Sequence, residues 1–269
     1  MATVQDKRSR FRALHAEGCF ILPNPWDLGS AIALESLGFR AIASTSAGMA
    51  WSMGRADNGV SRDEVLAHLT ALAARTSIPL NADFENGFAR EPAGVADNVT
   101  LAVATGVAGL SIEDSTGDAA DPLFGFDLAV ERISAARAAI DATGEDLVLT
   151  ARSEGFIAGH PDLEETIRRL TAFADAGADC LYAPGLRTTD QIAAVVAAVA
   201  PKPVNVLTPG LPVSTLAGLG VRRVSVGGAL ARVAWSAFLA AAKTIRDEGD
   251  FGAFAGGAPG GDLNRMFGP

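Results

Sequence analysis

Eight short apolar runs, each followed by an Ala-rich amphipathic stretch, predict an α/β fold of the (β/α)8, or TIM-barrel, type. Two further observations agree. One phrase (helix, glycine, short connection, β-branched run) recurs around Gly38, Gly106, Gly177 and Gly220. A glycine just past a helix end takes the left-handed conformation that stops the helix cheaply. No break in composition divides the chain, so its 269 residues suit one barrel better than two small domains. A doubly wound open sheet is the competing arrangement, but no Gly-rich phosphate fingerprint follows the first strand.

The elements follow in order. A helix over 4–18 precedes the first strand and closes the barrel floor. Strands begin near Phe20, Ala41, Leu80, Gly109, Leu147, Cys180, Pro203 and Val224, and they are apolar on both faces, as buried parallel strands are. Helices fall at 27–37, 61–76, 93–105, 128–142, 161–176, 189–199, 212–219 and 228–248. Ser61-Arg62-Asp63-Glu64 has capping-box spacing, and Asp162 and Glu164 flank the first turn after Pro161. Residues 1–249 are expected to form the barrel domain. Residues 250–269 form a glycine-rich extension whose Leu263, Met266 and Phe267 either dock on a neighbouring subunit or fray.

Composition narrows the function. A net charge of −9 without a basic stripe argues against a nucleic-acid partner. Residues 1–10 lack a secretory apolar region, and no apolar run reaches the ~18 residues of a membrane span, which fits the cytoplasm. Cys19 and Cys180 are far apart, without metal-ligand spacing, and are expected to be buried free thiols.

Barrel chemistry sits at the carboxyl ends of the strands. Strand one ends at Asn24-Pro25-Trp26-Asp27 and strand two at Ser44-Thr45-Ser46-Ala47-Gly48, with a long loop reaching Asp57. Strand three delivers Asp83 and Glu85, strand four Glu113 and Asp114, strand five Arg152 and Glu154. Tyr182 ends strand six, Asn205 lies in strand seven, and Gly227-Gly228 ends strand eight. Carboxylates gathered on consecutive buried strands are costly unless a cation neutralises them. Asp83, Glu85 and Glu113 suit Mg²⁺, which prefers oxygen ligands. The lack of His and Cys ligands argues against zinc. Arg152 is placed either to bind an anionic group with its guanidinium fork or to serve as a structural partner for Glu113, and the Thr45-Ser46-Ala47 turn to cradle an anion with backbone N–H groups.

These motifs, in this order, resemble the isocitrate lyase/phosphoenolpyruvate mutase superfamily over about residues 11–248. The resemblance rests on Pro23-Asn24-Pro25-Trp26-Asp27, Thr45-Ser46-Ala47, Gly54…Asp57 and Asp83-Phe84-Glu85-Asn86-Gly87-Phe88. It continues through Ile112-Glu113-Asp114, Ala151-Arg152-Ser153-Glu154 and Val224-Ser225-Val226-Gly227-Gly228. It implies Mg²⁺, or Mn²⁺ as a substitute, held by Asp83, Glu85 and Glu113 mostly through water. It implies a 2-oxo or 2-hydroxy acid bound by Trp26, Thr45, Ser46, Ala47, Arg152 and Asn205, with Asp57, Glu113 and Arg152 as catalytic residues. It also implies a homotetramer whose last barrel helix, 228–248, is exchanged between subunits.

The chain departs from its relatives after strand four. Isocitrate and methylisocitrate lyases carry a Lys-Lys-Cys-Gly-His loop there, and phosphoenolpyruvate mutases a Lys and an Asn. Residues 115–127 contain no Cys, Lys, His or Asn. The expected function is therefore a Mg²⁺-dependent lyase cleaving a C–C bond of a small acid through a pyruvate enolate, as in oxaloacetate decarboxylation. The alternatives are a P–C bond mutase or hydrolase acting on a phosphonopyruvate-like compound, and a barrel that binds metabolites without turnover.

Overall fold

A computed structural model describes residues 2–207 and 210–268. Eight parallel strands form one sheet: β1 (Phe20–Leu22), β2 (Ile42–Ala43), β3 (Leu80–Asp83), β4 (Gly109–Glu113), β5 (Val148–Arg152), β6 (Cys180–Tyr182), β7 (Val204–Leu207) and β8 (Arg223–Ser225). Neighbours pair in sequence order from β2 to β8, and β8 pairs β1. The β1–β2 seam lacks a ladder. It is bridged by the Ala43 N–H donating to the Pro23 carbonyl at 3.0 Å and by the Asn24 amide donating to the Ser44 carbonyl at 2.9 Å. The result is a nearly closed (β/α)8 barrel, as the recurring strand–helix phrase predicts.

The surrounding helices are α1 (Val4–Ala16), α2 (Leu28–Ser36), α3 (Ser46–Ser52), α4 (Arg62–Arg75), α5 (Pro92–Ala104), α6 (Phe126–Thr143), α7 (Leu163–Asp175), α8 (Thr189–Val199), α9 (Val213–Gly218), α10 (Ala229–Glu248) and α11 (Gly260–Phe267). The Ser61 capping box closes on Glu64 as its spacing requires. Two helices escape the sequence pattern. Thr45-Ser46-Ala47-Gly48 is not an open turn but the N-cap and first turn of α3. A Cβ on Gly48 would lie 2.7 Å from Thr45 Cγ2 and 2.8 Å from Trp26 Cβ, so only glycine permits this packing. The second is α11, in the segment expected to dock elsewhere or fray. It folds onto α2 of the same chain, bringing the Phe267 ring towards Gly29.

The core has two layers. Between strands and helices lie Leu69, Leu80, Leu110, Ile112, Ile140 and Phe173, all fully buried or nearly so. Inside the barrel a smaller cluster joins Phe11, Phe20, Leu22, Val148 and Cys180. Phe11 comes from α1, which plugs the floor. Gly109 leaves it room, since a Cβ there would stand 2.7 Å from the Phe11 ring. Cations on α1 seal the plug by donating to carbonyls at the ends of outer helices. Lys7 Nζ reaches the Ala73 and Thr76 carbonyls at 2.6 and 2.5 Å, and Arg8 reaches those of Val103 and Val107. Carbonyls at helix C-termini carry partial negative charge and have no helical partner, which suits buried ammonium and guanidinium groups. Cys180 is a buried free thiol as expected, whereas Cys19 is only half-buried.

The last barrel helix behaves differently from the others. Only Ala231 of α10 is buried, and Val233, Trp235, Phe238 and Leu239 are exposed. No helix is long and apolar enough to cross a membrane among the described residues.

His15 follows Phe11 on α1 and is buried. Its Nδ1–H donates to the Phe11 carbonyl at 2.8 Å and its Nε2 accepts from Arg223 at 3.3 Å, so the ring must be neutral. Burial, with the Arg223 charge, pushes its pKa down from 6.5 to about 3. Below pH 6.5 the unfolded chain takes up a proton that the native ring refuses, so stability falls with pH. Urea unfolding at pH 7 and pH 5 should show wild type losing about 2 kcal/mol more than His15→Gln over that interval. Equal losses would show that His15 is not held neutral.

Candidate active site

At the carboxyl ends of the strands a cavity of about 220 Å³ is lined by Thr45, Ser46, Ala47, Asp57, Asp83, Arg152, Tyr182 and Asn205, among others. Its organising group is Arg152, the last residue of β5. Three carboxylates surround the guanidinium: Asp83 Oδ1 at 2.7 Å from Nη1, Glu113 Oε2 at 3.1 Å from Nη2 and Glu154 Oε1 at 2.8 Å from Nε. The β4–β5 register sets Glu113 opposite Arg152, so the contact follows from strand pairing. The Tyr182 ring lies 5.1 Å from the guanidinium carbon on the β6 side. Arg152 has five N–H donors, so three ion pairs leave donors for a ligand.

Local structure aims each acid. Asp83 ends β3, where its Oδ2 accepts the Ser46 N–H at 2.9 Å and its own N–H donates to Ser44 Oγ at 2.8 Å. This occupies one N–H of the expected anion cradle. The Ala47 N–H, in the same first turn of α3, has no acceptor among the described residues. Glu85 is held at φ +47°, left-handed backbone that is rare outside glycine. Its carbonyl accepts the Glu113 N–H at 3.0 Å, which ties the β3 loop to the end of β4. Strain of this kind persists where surrounding structure enforces it, often at functional sites.

The charge balance is uneven. Asp57, Asp83, Glu85, Glu113 and Glu154 all feel the charge of one guanidinium, Arg152. Burial, then repulsion from Asp83 and Asp57, pushes Glu85 up to about 8. Burial raises Glu113 well above the usual carboxylate range and raises Glu154, with Arg152 opposing both shifts. Asp57 is exposed at the rim, yet desolvation and the Asp83 charge raise it too. Asp114 belongs elsewhere: it pairs with Arg169 at 3.0 Å and accepts the Glu154 N–H at 2.7 Å, bracing the strand-four and strand-five ends from outside.

The expected metal ligands therefore need correction in one respect. Asp83 and Glu113 both pair with Arg152, and neither Glu85 nor Glu113 lines the cavity, so of the three only Asp83 opens onto it. Among the described residues no three acidic, His or Cys side chains are placed to hold a metal ion directly. The donor set still fits a hard divalent cation held mostly through water. Its oxygens are carboxylates, they exceed the available positive charge, and Asp83 and Asp57 open onto the cavity.

Other expectations divide. Thr45, Ser46, Ala47, Asp57, Arg152 and Asn205 all line the cavity. Trp26 does not: its ring lines a separate apolar groove with Trp235 and Phe238 of α10. The loop over 115–127 is closed by a bridge between Ser115 and Leu123 and presents Asp118 and Asp121 but no cation. Sequence reasoning gave no role to Arg223 or Ser225, both buried and both lining the cavity. The only available signal was a polar residue at inward positions of an otherwise apolar strand.

Comparison with known proteins places this geometry. The family described as phosphoenolpyruvate phosphomutase matches residues 11–246. A solved structure from Burkholderia cenocepacia, whose lyase or mutase activity is itself a provisional assignment, shares 48% identity. It covers 99% of this chain and 97% of that one, with a TM-score of 0.96. An oxaloacetate decarboxylase of Paraburkholderia xenovorans is 31% identical over 91% of this chain and 81% of its own. A phosphonopyruvate hydrolase solved with oxalate and Mg²⁺ is 28% identical, covers 99% of this chain and 95% of its own, and superposes with a TM-score of 0.86.

Removing the cation should expose the acids' mutual repulsion. Arg152→Met is expected to cost about 3 kcal/mol of stability at pH 8, because it strands buried carboxylates. The deficit should shrink at pH 5, since groups with raised pKa values shed their charge as pH falls through them. Denaturant titration at both values checks this; a pH-independent deficit would mean that packing, not charge, is lost.

Proposed function

Because this chain belongs to the phosphoenolpyruvate phosphomutase family, we propose that it is a Mg²⁺-dependent lyase cleaving a C–C bond of a small 2-oxo acid, with oxaloacetate decarboxylation as the model reaction. One observation carries the reading: a guanidinium ringed by three carboxylates opens onto a cavity of about 220 Å³. That volume lies below the roughly 300–1,000 Å³ of sites for drug-sized ligands and suits a small acid with water. The Paraburkholderia relative acts on oxaloacetate, which agrees.

The roles follow from chemistry. Asp83, with Asp57, Glu85 and Glu113 through water, would hold the divalent ion. When bound, the ion supplies Lewis-acid stabilisation of the enolate oxygen. The remaining Arg152 N–H donors face the same anion and offset the charge that develops as the bond breaks. Its three carboxylate partners fix the guanidinium in place, so little reorganisation accompanies the reaction. The Ala47 N–H and the Asn205 side chain orient the carboxylate ends. The cavity-facing Tyr182 ring limits water around the reacting carbon.

The alternative, cleavage of a P–C bond, draws support from the phosphonopyruvate hydrolase neighbour. The 115–127 loop weighs against it. A phosphonate adds negative charge, and that loop supplies Asp118 and Asp121 with no Lys or Arg to receive it. The exposed apolar stripe of α10 (Val233, Trp235, Phe238, Leu239) fits exchange of this helix between subunits of a homotetramer.

Pyruvate should appear from oxaloacetate with Mg²⁺, stop on chelation and return with Mg²⁺ or Mn²⁺. Phosphate or a rearranged phosphorus species from phosphonopyruvate by ³¹P NMR, with oxaloacetate untouched, would replace the C–C reading with the P–C one. Asp83→Asn should lower metal-dependent turnover about a hundredfold while the melting temperature stays close to wild type. Arg152→Lys should also lower kcat strongly, because an ammonium cannot keep three carboxylates and a substrate in one plane; near-normal kcat would remove the guanidinium from the reaction.

A further inference from the structure

Cleaving a bond to a 2-oxo acid leaves an enolate whose carbon must receive a proton. The 115–127 loop holds no Cys, Lys or His to give one. The cavity contains one phenol, that of Tyr182, the chain's sole tyrosine. It is 8% exposed, at the carboxyl end of β6, with its ring against Arg152.

Beneath it runs a buried hydrogen-bond chain whose direction is fixed at its lower end. Arg223 can only donate. It gives Nη1–H to His15 Nε2 at 3.3 Å, Nη2–H to Thr150 Oγ1 at 3.1 Å and Nε–H to Asn205 Oδ1 at 2.9 Å. With its oxygen committed, Asn205 turns its amide N–H to Ser225 Oγ at 2.9 Å. Ser225 therefore accepts from below, which leaves its own hydrogen free to turn towards the phenol of Tyr182, a neighbour whose ionised form it favours. A phenol oxygen that takes this hydrogen turns its own O–H to the open side, which is the cavity that Tyr182 lines. No carboxylate pairs with Arg223 among the described residues, so the guanidinium holds the whole chain in one orientation.

We propose that Tyr182 is the catalytic acid that protonates the enolate carbon, with Arg223, Asn205 and Ser225 as positioning residues for its O–H. This rests on the enolate chemistry proposed above. The Tyr182 O–H bond breaks, a C–H bond forms at the enolate carbon, and the enolate collapses to the 2-oxo acid. For pyruvate, CH₂=C(O⁻)COO⁻ and the phenol become CH₃COCOO⁻ and phenolate. The phenolate regains its proton from water at the cavity mouth. Arg152 and the Ser225 hydroxyl stabilise that phenolate. Burial otherwise pushes the group up to about 12, so the proton is in place at neutral pH.

By microscopic reversibility the same group must exchange the methyl protons of bound pyruvate. The wild-type protein with Mg²⁺ and pyruvate in D₂O should deuterate the methyl group, followed by ¹H NMR. Tyr182→Phe should slow this about a hundredfold, while its melting temperature and its pyruvate binding, read by tryptophan fluorescence, stay near wild type. Wild-type exchange rates in Tyr182→Phe, or no exchange by wild type that binds pyruvate, would overturn the assignment. If the Phe variant fails to fold or bind, biosynthetic 3-fluorotyrosine decides, because it alters this hydroxyl alone. A change in exchange rate of about threefold or more supports the assignment, and an unchanged rate rejects it. Exchange into pyruvate without cleavage of oxaloacetate would retire the decarboxylase reading and leave Tyr182 in place.

Discussion

Arg152 has to neutralise more acid than one guanidinium can, and the mouth of the barrel is built around that imbalance. Asp83, Glu113 and Glu154 each take one edge of the fork. The remaining acids, Glu85 and Asp57, keep raised pKa values because burial and the nearby Asp83 charge outweigh the pull of Arg152. Five carboxylates stay together at such a site only when protons or a bound cation offset their charge. Strand register enforces the crowding: β4 and β5 deliver Glu113 and Arg152 side by side, and the left-handed turn at Glu85 locks the neighbouring loop to Glu113.

A second constraint lies below. Barrel interiors are usually filled by branched apolar side chains, and the lower layer here obeys that rule with Phe20, Leu22 and Val148 beside Phe11. The upper layer does not: Asn81, Ser111, Thr150, Asn205 and Arg223 point inward. Among the described residues the buried guanidinium of Arg223 is met by neutral acceptors only, which requires His15 to remain uncharged and sets the direction of the bonds through Asn205 to Ser225. The floor plug and the catalytic mouth are therefore linked electrostatically as well as by packing.

The outer helices divide by what they cover. Helices α4 to α8 bury apolar faces on the strands, and α1 closes the floor with cations that satisfy helix-end carbonyls. Helix α10 buries almost nothing on its own barrel, while α11 turns back onto α2. An amphipathic helix of 20 residues with its apolar stripe in water gains little from folding alone, which is why a partner surface belongs in the functional reading.

The sequence by itself determined the repeating architecture and the residues at its rim. Strand starts at Phe20, Leu80, Gly109 and Cys180, and the helix at 189–199, follow from apolar runs and caps that act locally. So does the gathering of Asp83, Glu113 and Arg152, because consecutive parallel strands end at one rim. Tertiary structure decided what those residues face. It turned the Thr45 loop into a helix cap, because Gly48 lets α3 pack against Trp26. It moved Trp26 away from the cavity and brought three of the acids onto Arg152. It also joined Arg223 and Ser225 of β8 through Asn205 of β7 into one directed chain beside Tyr182 of β6. Periodicity and capping depend on neighbours a few residues apart and are visible in one dimension. The orientation of a hydrogen-bond chain and the balance of buried charge depend on groups up to 208 residues apart, as Arg223 and His15 are, and exist only once the barrel closes.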